Sequence, residues 1–447
     1  MRTLVSGRFL KNFVFLGAVA LGCASLVYSA PYWMLFWFIS CAWLFCRGVV
    51  LFKHVFLWAF LTYLIVGLLA LWPLFFSCFA PWVGVVLSIA LAFYLSLQQT
   101  LIFWLFSGLY YRYPCLAGYM FFIVWFYVLG HYSLWIFGSL EGLLFVHPMR
   151  VLVQLPGLAT CTLYLGYSWA FGIFLLVVFS GCSFLLRRNR AALLVFLINI
   201  ASILIINCFH RDVQLKHFSC FYVPRVTHPL EPDISSFEAL EKICDLLGRD
   251  GLGRAPRIIV FPESFFPFAC NTPYMQAGFS QACSDNDTLI FGSYALEKED
   301  FVANAAFGFS CEKCIGLYEK SHRVVLAERF PNWIVLLSSL LGYTLIAFCA
   351  GNGAFTRFCC TQIAGAVVPI VCSELFFTNR LSNMTSMLCA DDVVVALIND
   401  SWFEGSFFQQ ALWEVARLQV IASGVPLLYS SYAYQGWFSS SGCWHSL

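Results

Sequence analysis

The sequence predicts a polytopic α-helical membrane domain over residues 1–210 followed by a mixed α/β domain over residues 211–447. Three observations predict this division. The composition is 61% hydrophobic and 11% charged, with a mean hydropathy of +0.80, whereas a soluble domain carries roughly a quarter charged residues. Charge is also split along the chain: residues 1–210 hold ten Lys or Arg and one acid, Glu141, while the remainder holds fifteen basic and twenty-two acidic residues. From Arg211 onward, long apolar runs give way to short ones separated by polar turns. The 48 Phe, 20 Tyr and 15 Trp exclude a disordered chain, because that much apolar surface must be buried.

A spanning helix needs about 20 mostly apolar residues, since the hydrocarbon core is ~30 Å thick and a helix rises ~1.5 Å per residue. Seven such runs are expected, at about 9–29, 31–52, 55–76, 79–108, 115–138, 152–182 and 191–209. Each is apolar all round, as lipid or bundle burial requires. The first is preceded by Arg2, Arg8 and Lys11, as a signal peptide would be, but the six runs behind it favour a first spanning helix. Arg2, Arg8, Lys11, Arg47, Lys53, Arg112, Arg187, Arg188 and Arg190 fall in one set of alternate loops, and Arg150 alone falls in the other. The positive-inside rule then places the N-terminus in the cytoplasm and residue 211 onward outside, in the periplasm of a bacterium. The spans carry no chain of intramembrane carboxylates, which argues against a proton-coupled carrier or an ion channel.

In the second half, residues 257–261, 288–292, 304–309, 367–371 and 393–398 read as buried strands. Residues 237–247 and 409–422 read as helices, the latter with apolar positions at helical spacing. Strand and helix alternate in part, so functional residues are expected at strand ends. A further apolar stretch near 333–350, broken by Ser338, Ser339, Gly342 and Thr344, reads as a membrane-dipping loop; an eighth span there would put its flanks on opposite sides of the membrane.

Three positions carry chemistry. Glu263 ends a strand in Val-Phe-Pro-Glu-Ser, Lys320 follows one in Leu-Tyr-Glu-Lys-Ser-His, and Cys372 ends one in Pro-Ile-Val-Cys-Ser-Glu. A thiol becomes a strong nucleophile when a neighbouring carboxylate removes its proton, and an ammonium can hold the oxyanion that develops. A single strand cysteine is usually inert filler; the ordered set of three is more specific.

With these segments in view, the sequence resembles the nitrilase superfamily and, within it, the apolipoprotein N-acyltransferases. Tyr28-Ser29-Ala30-Pro31-Tyr32-Trp33, Gln154-Leu155-Pro156-Gly157 and Gly166-Tyr167-Ser168 resemble the family's membrane signatures. Pro262-Glu263, Tyr318-Glu319-Lys320-Ser321-His322, Cys372-Ser373-Glu374 and Asn399-Asp400-Ser401-Trp402-Phe403 resemble its catalytic segments. Glu328 sits where the family has a second essential Glu. The sequence departs from the pattern at Ser373 (usually Tyr), Glu404 (Gly), Gln419 (Arg) and Ala422 (Glu), and family members continue beyond the position of Leu447.

The resemblance implies a nitrilase-like αββα sandwich as the second domain and an N-acyltransferase with catalytic Glu263, Lys320 and Cys372. An acyl chain would pass from a phospholipid through a Cys372 thioester to the N-terminal amine of a diacylglyceryl-cysteine lipoprotein. Glu328 and Glu374 would orient Lys320 and the nucleophile loop. Phe265, Trp333, Trp402 and Phe403 are candidates for an acyl-chain cleft, against the alternative of ordinary core. The enzyme would act as a monomer at the bacterial inner membrane, in contact with membrane lipids and without a cofactor. Two other readings stay open: a membrane-tethered amidase, esterase or acyltransferase with another acceptor, and a non-catalytic membrane scaffold.

Other signals are weaker. Of 20 cysteines, Cys311 and Cys314 form a CxxC without a second pair at zinc spacing, which suggests a hairpin turn and leaves a disulfide open. There is no HExxH, P-loop, dinucleotide fingerprint or basic stripe, so neither a metal nor a nucleic acid is expected as a partner.

Overall fold

The computed structural model describes isolated helical positions between 61 and 97 and then residues 152–447, except 154, 189, 210–211, 214–217, 232, 249–256, 283–286, 297–301, 311–312, 323–334, 337–338, 341–354, 378–379, 402–403 and 405–406. The first five expected spans thus lie outside the described residues apart from those isolated positions, as does most of the expected membrane-dipping loop. The chain divides into two compact units, Met1–His210 with Gly405–Leu418, and Arg211–Glu404 with Gln419–Leu447.

In the first unit the expected sixth span, 152–182, is corrected: it is two helices, α1 (Pro156–Leu165) and α2 (Tyr167–Arg187). Gly166 breaks the run with φ 79° and ψ 166°, a conformation that a residue with a Cβ adopts only under strain. Hydropathy alone did not reveal the break, because α1 and α2 are equally apolar on either side of it. Helix α2 closes at Arg188, whose φ of 54° and N–H bond to the Phe184 carbonyl (2.8 Å) form a left-handed cap. Helix α3 (Arg190–Phe209) then returns. Among the described residues it is the one helix long and apolar enough to cross a membrane; α2 carries a shorter apolar run, Trp169–Leu185. Asn207 Nδ2 donates to the Gly157 carbonyl (2.9 Å), tying α1 to the end of α3.

The second unit is built on two sheets. The first has the order β1-β2-β3-β4-β5, from β1 (Phe221–Tyr222), β2 (Ile258–Val260), β3 (Thr288–Leu296), β4 (Val302–Ser310) and β5 (Cys314–Glu319). The first three strands are parallel, β4 runs antiparallel to β3, and β5 runs antiparallel to β4 and so in the direction of the first three. The second has the order β11-β10-β9-β8-β7-β6, from β6 (Phe358–Cys359), β7 (Ala366–Val371), β8 (Val393–Leu397), β9 (Leu427–Ser430), β10 (Gln435–Phe438) and β11 (Trp444–Ser446). Strands β7, β8 and β9 are parallel. Helix α7 (Phe407–Ser423) lies in the β8–β9 connection, as a parallel crossover requires. The short helix α6 (Arg380–Met384) lies in the β7–β8 connection.

Side-chain alternation sorts the layers. Ile258, Val260, Ile290 and Ala306 of the first sheet meet Val367, Val371, Val393, Val395, Leu397 and Leu428 of the second in one buried cluster. The alternate residues of the first sheet, Ile259, Phe261, Leu289, Phe291, Phe307 and Phe309, pack on Ala239 and Ile243 of α4 (Ser236–Gly248) and on Met275 and Phe279 of α5 (Pro273–Ala282). Two sheets face to face with helices on the outside give the α/β sandwich expected for this half. The expected strands and both expected helices are present, with ends shifted by a few residues. Strands β1, β6, β9, β10 and β11 and helices α5 and α6 are not among the expected elements.

Candidate active site

Strand direction brings the chemistry to one end of each sheet. Strands β2 and β5 point the same way, because β4 reverses once between β3 and β5. Their carboxyl ends therefore deliver Glu263, three residues past Val260, and Lys320, directly after Glu319, to one edge. In the second sheet, parallel β7, β8 and β9 deliver Cys372, Asn399-Asp400 and Ser431-Tyr432 to one edge. Carboxyl ends of parallel strands are where α/β folds bind ligands.

Glu263 and Lys320 are in contact. Lys320 Nζ lies 3.2 Å from Glu263 Oε1, and their side chains are 2% and 4% exposed. An ammonium and a carboxylate so thoroughly buried tolerate each other's burial only as a pair. Asn304 on β4 donates to the same carboxylate oxygen (3.4 Å), and the Lys320 backbone N–H bonds to the Asn304 carbonyl (2.8 Å). The backbone of Glu263 is gripped as well. Phe265 N–H bonds to the Gly292 carbonyl (3.2 Å), Gly292 N–H to the Pro262 carbonyl (3.3 Å), and Tyr432 Oη donates to the Glu263 carbonyl (3.0 Å). A Cβ on Gly292 would lie 2.5 Å from Glu263 Cα, so only glycine admits this approach.

Cys372 opens a 3₁₀ turn, Cys372–Phe376, directly after β7. Its φ is 45°, one of three non-glycine residues with positive φ among those described, with Arg188 and Ser264. A non-glycine residue held in the left-handed region costs roughly 1–3 kcal/mol and is a recurrent feature of functional turns. The thiol is half-buried.

Glu374, wholly buried, ties the Cys372 turn to the Lys320 segment. Its Oε2 accepts from Tyr318 Oη (2.6 Å) and Val371 N (3.3 Å). Its Oε1 accepts from Ser321 N (2.9 Å), Ser321 Oγ (3.0 Å) and His322 N (3.3 Å). Arg380 Nη2 stands 3.9 Å away and donates to Tyr318 Oη at 2.9 Å. Burial by itself would raise the carboxyl pKa, but the donors from His322, Tyr318 and Ser321 and the Arg380 charge outweigh it and bring it down to about 2. Ser373 adds a further tie, with Oγ donating to the His322 carbonyl (2.9 Å). Tyr318 and Ser321, on either side of Lys320, are thus bonded to Glu374, two residues from Cys372.

The remaining expected positions fare differently. Glu328, Trp333, Trp402 and Phe403 lie outside the described residues. Phe265 is a core side chain: it is 1% exposed, with its ring 4.6 Å from Phe261 and 5.0 Å from Phe266. Of the two alternatives for that ring, core packing is the one its surroundings fit. Cys314 carries a free thiol, half-buried against the aromatic core. Among the described residues no group of three His, Cys, Asp or Glu side chains is arranged to hold a metal. Asn304 and Tyr432 were not singled out by sequence; neither lies in a recognisable motif, and each reaches Glu263 only through the fold.

No family model matches the chain. The chain is similar to curated proteins named apolipoprotein N-acyltransferase. It is 24% identical to the one from Sinorhizobium medicae over 40% of this chain and 35% of that protein. It is 26% identical to the one from Rhizobium rhizogenes over 40% and 34%, and 24% identical to the one from Vibrio parahaemolyticus over 39% and 36%. The similarity thus spans about a third of the length of these relatives. Among solved structures, a carbon-nitrogen hydrolase from Helicobacter pylori matches 50% of this chain and 82% of its own at 16% identity, with a TM-score of 0.37. A CN-hydrolase superfamily protein from Xanthomonas campestris matches 53% and 86% at 12% identity, also with a TM-score of 0.37.

Proposed function

We propose that the protein is an acyltransferase of the nitrilase superfamily that acylates the N-terminal amine of a lipoprotein. The observation that carries this reading is the buried Glu263–Lys320 pair, whose lysine segment is tied through Glu374 to the turn that bears Cys372. The similarity to curated apolipoprotein N-acyltransferases supports the choice of substrates.

In the first half-reaction Glu263 takes the thiol proton and the Cys372 sulfur attacks the carbonyl carbon of a phospholipid acyl ester. Lys320 stabilises the oxyanion; losing one such donor costs ~10²–10³ in rate. The ester C–O bond breaks, the leaving alkoxide takes the proton from Glu263, and lysophospholipid departs from a Cys372 thioester. In the second half-reaction the free amine of a diacylglyceryl-cysteine attacks the thioester. Glu263 accepts the amine proton, the C–S bond breaks, and the proton returns to sulfur. An amide replaces the thioester and the enzyme is regenerated. Both substrates are lipid-anchored, and the apolar sequence of residues 1–210, with its basic loops on the cytoplasmic side, would keep the enzyme in the membrane that carries them.

Intact-protein mass spectrometry after incubation with phospholipid tests this reading. The expected result is one acyl adduct on Cys372, absent from Cys372→Ala and discharged by a diacylglyceryl-cysteine peptide. A Cys372 that stays unmodified overturns the scheme, and an adduct lost to water with no acylated peptide moves the protein to the amidase or esterase reading.

A further inference from the structure

Tyr432 belongs to none of the segments that carry the chemistry, yet it touches the proposed base. Its hydroxyl donates to the backbone carbonyl of Glu263 at 3.0 Å across a separation of 169 residues, and the ring is 7% exposed within the aromatic core. That carbonyl precedes Ser264, whose φ of 55° turns the chain sharply just after the carboxylate-bearing residue. Tyr432 is itself held. Asp400, 0% exposed, accepts from Tyr432 N (2.9 Å), Ala433 N (3.3 Å) and Ser431 Oγ (2.8 Å). Ser431 N–H closes the turn on the Tyr434 carbonyl at 3.0 Å, and Tyr434 N bonds back to Ser431 Oγ at 2.9 Å.

We infer that Tyr432, braced by Asp400, is a positioning residue that fixes the Glu263 peptide and so aims its carboxylate. This inference rests on the acyl-transfer reading above. The physical need is plain. The Glu263 side chain has to exchange protons with one partner while paired to Lys320, and a left-handed turn at its C-terminal neighbour would let the peptide tip if nothing held its carbonyl. Gly292 holds the flanking peptides through Pro262 and Phe265; Tyr432 holds the one peptide that remains. Burial, then the charges of Glu263 and Asp400, drive the Tyr432 pKa well above its ordinary value, so the hydroxyl keeps its proton and stays a donor at any working pH. The neighbours Ser431 and Ala433 do not substitute for it, because their bonds go to Asp400.

The test uses the full-length protein in detergent and a p-nitrophenyl ester of a medium-chain fatty acid, reading the burst of p-nitrophenol released as the enzyme is acylated. Glu263→Gln and Cys372→Ala serve as references and are expected to abolish the burst. If both keep it, the acyl-transfer reading fails, whatever Tyr432 does. Given that loss, Tyr432→Phe removes one hydroxyl and keeps the ring; the burst at saturating ester is expected to slow about fivefold, the worth of one net hydrogen bond. Half-saturation stays unchanged, and the acid limb of the pH–rate profile moves. Ser431→Ala, which loosens the brace and spares the hydroxyl, gives a smaller slowing in the same direction. A Tyr432→Phe enzyme with the wild-type burst and pH profile overturns the inference. So does one whose slower burst disappears once the rate is normalised to folded protein by thermal melting, because a merely structural contact lowers stability alone.

Discussion

The turn after β2 and the turn after β7 solve the same geometric problem by different means. Each must present a side chain from a strand end through a residue with positive φ, Ser264 in one and Cys372 in the other. The backbone of the β2 turn is held by neutral bonds, with Gly292 close on one side and the Tyr432 hydroxyl on the other, while the Glu263 side chain is paired with Lys320. The β7 turn is held by a buried charge, since Glu374 gathers donors from Tyr318, Ser321, His322 and its own N-cap residue Val371. Neutral bonds hold the Glu263 peptide itself without a titrating group, although the Glu263 side chain is paired with Lys320 and Tyr432 is braced by the buried Asp400. A buried carboxylate fixes a turn more strongly, but only while it stays ionised. The lesson is that the backbone of the Cys372 turn depends on an ionised carboxylate, whereas the backbone of the Glu263 turn depends on close packing and neutral bonds.

The largest effect is expected at Glu374. Glu374→Gln places an amide where only donors converge, and breaking a buried charged network of this kind costs ~3–5 kcal/mol. Thermal melting reads it, and a loss under about 1 kcal/mol would mean that the ties to Ser321 and Tyr318 are cosmetic.

The same contrast can be titrated. The folded-state pKa of Glu374, about 2, lies below its ordinary 4.5, so its stabilisation is fully present above about pH 4.5 and drains away as pH falls through 2. The contribution is on the order of 3 kcal/mol. Denaturant unfolding between pH 6 and 2 should show this acid loss in the wild type and a shallower slope in Glu374→Gln. Equal slopes would assign the acid sensitivity to other carboxylates.

At the β2 turn, Gly292→Ala pushes a methyl to 2.5 Å from the Glu263 Cα. A cost of ~1–3 kcal/mol is expected, together with a loss of acylation larger than the loss of folded protein. Unaltered acylation would show that the Glu263 peptide tolerates displacement. The smallest effect belongs to Ser264→Gly. Glycine adopts φ 55° freely, so stability should change by less than ~1 kcal/mol; a larger loss would assign the Ser264 side chain a role of its own.

Legibility in the sequence followed the range of the interactions. Residues 288–292, 304–309, 367–371 and 393–398 announced themselves as strands because buried strands are continuous apolar runs. Strands β9, β10 and β11 escaped because they are short and mix Ser, Gln and His with apolar residues, taking their form from the neighbour each pairs with. The sixth span was legible as apolar and illegible as broken, since one glycine at φ 79° leaves hydropathy unchanged. Glu263, Lys320 and Cys372 could be singled out because each ends a strand in a local pattern. Asn304 and Tyr432 could not, as their only signal is contact with a residue far away in the chain.

By itself, then, the sequence determined what local chemistry can determine: which stretches must be buried, which half is the more apolar, and which acid, amine and thiol sit at strand ends. Tertiary structure alone decided that Glu263 and Lys320 pair, that Glu374 turns toward the Lys320 segment, and that a tyrosine 169 residues away holds the Glu263 peptide. The physical reason is that burial is a property each residue carries along the chain, whereas a hydrogen bond needs two groups at one distance and angle, and only the packed sheets set those.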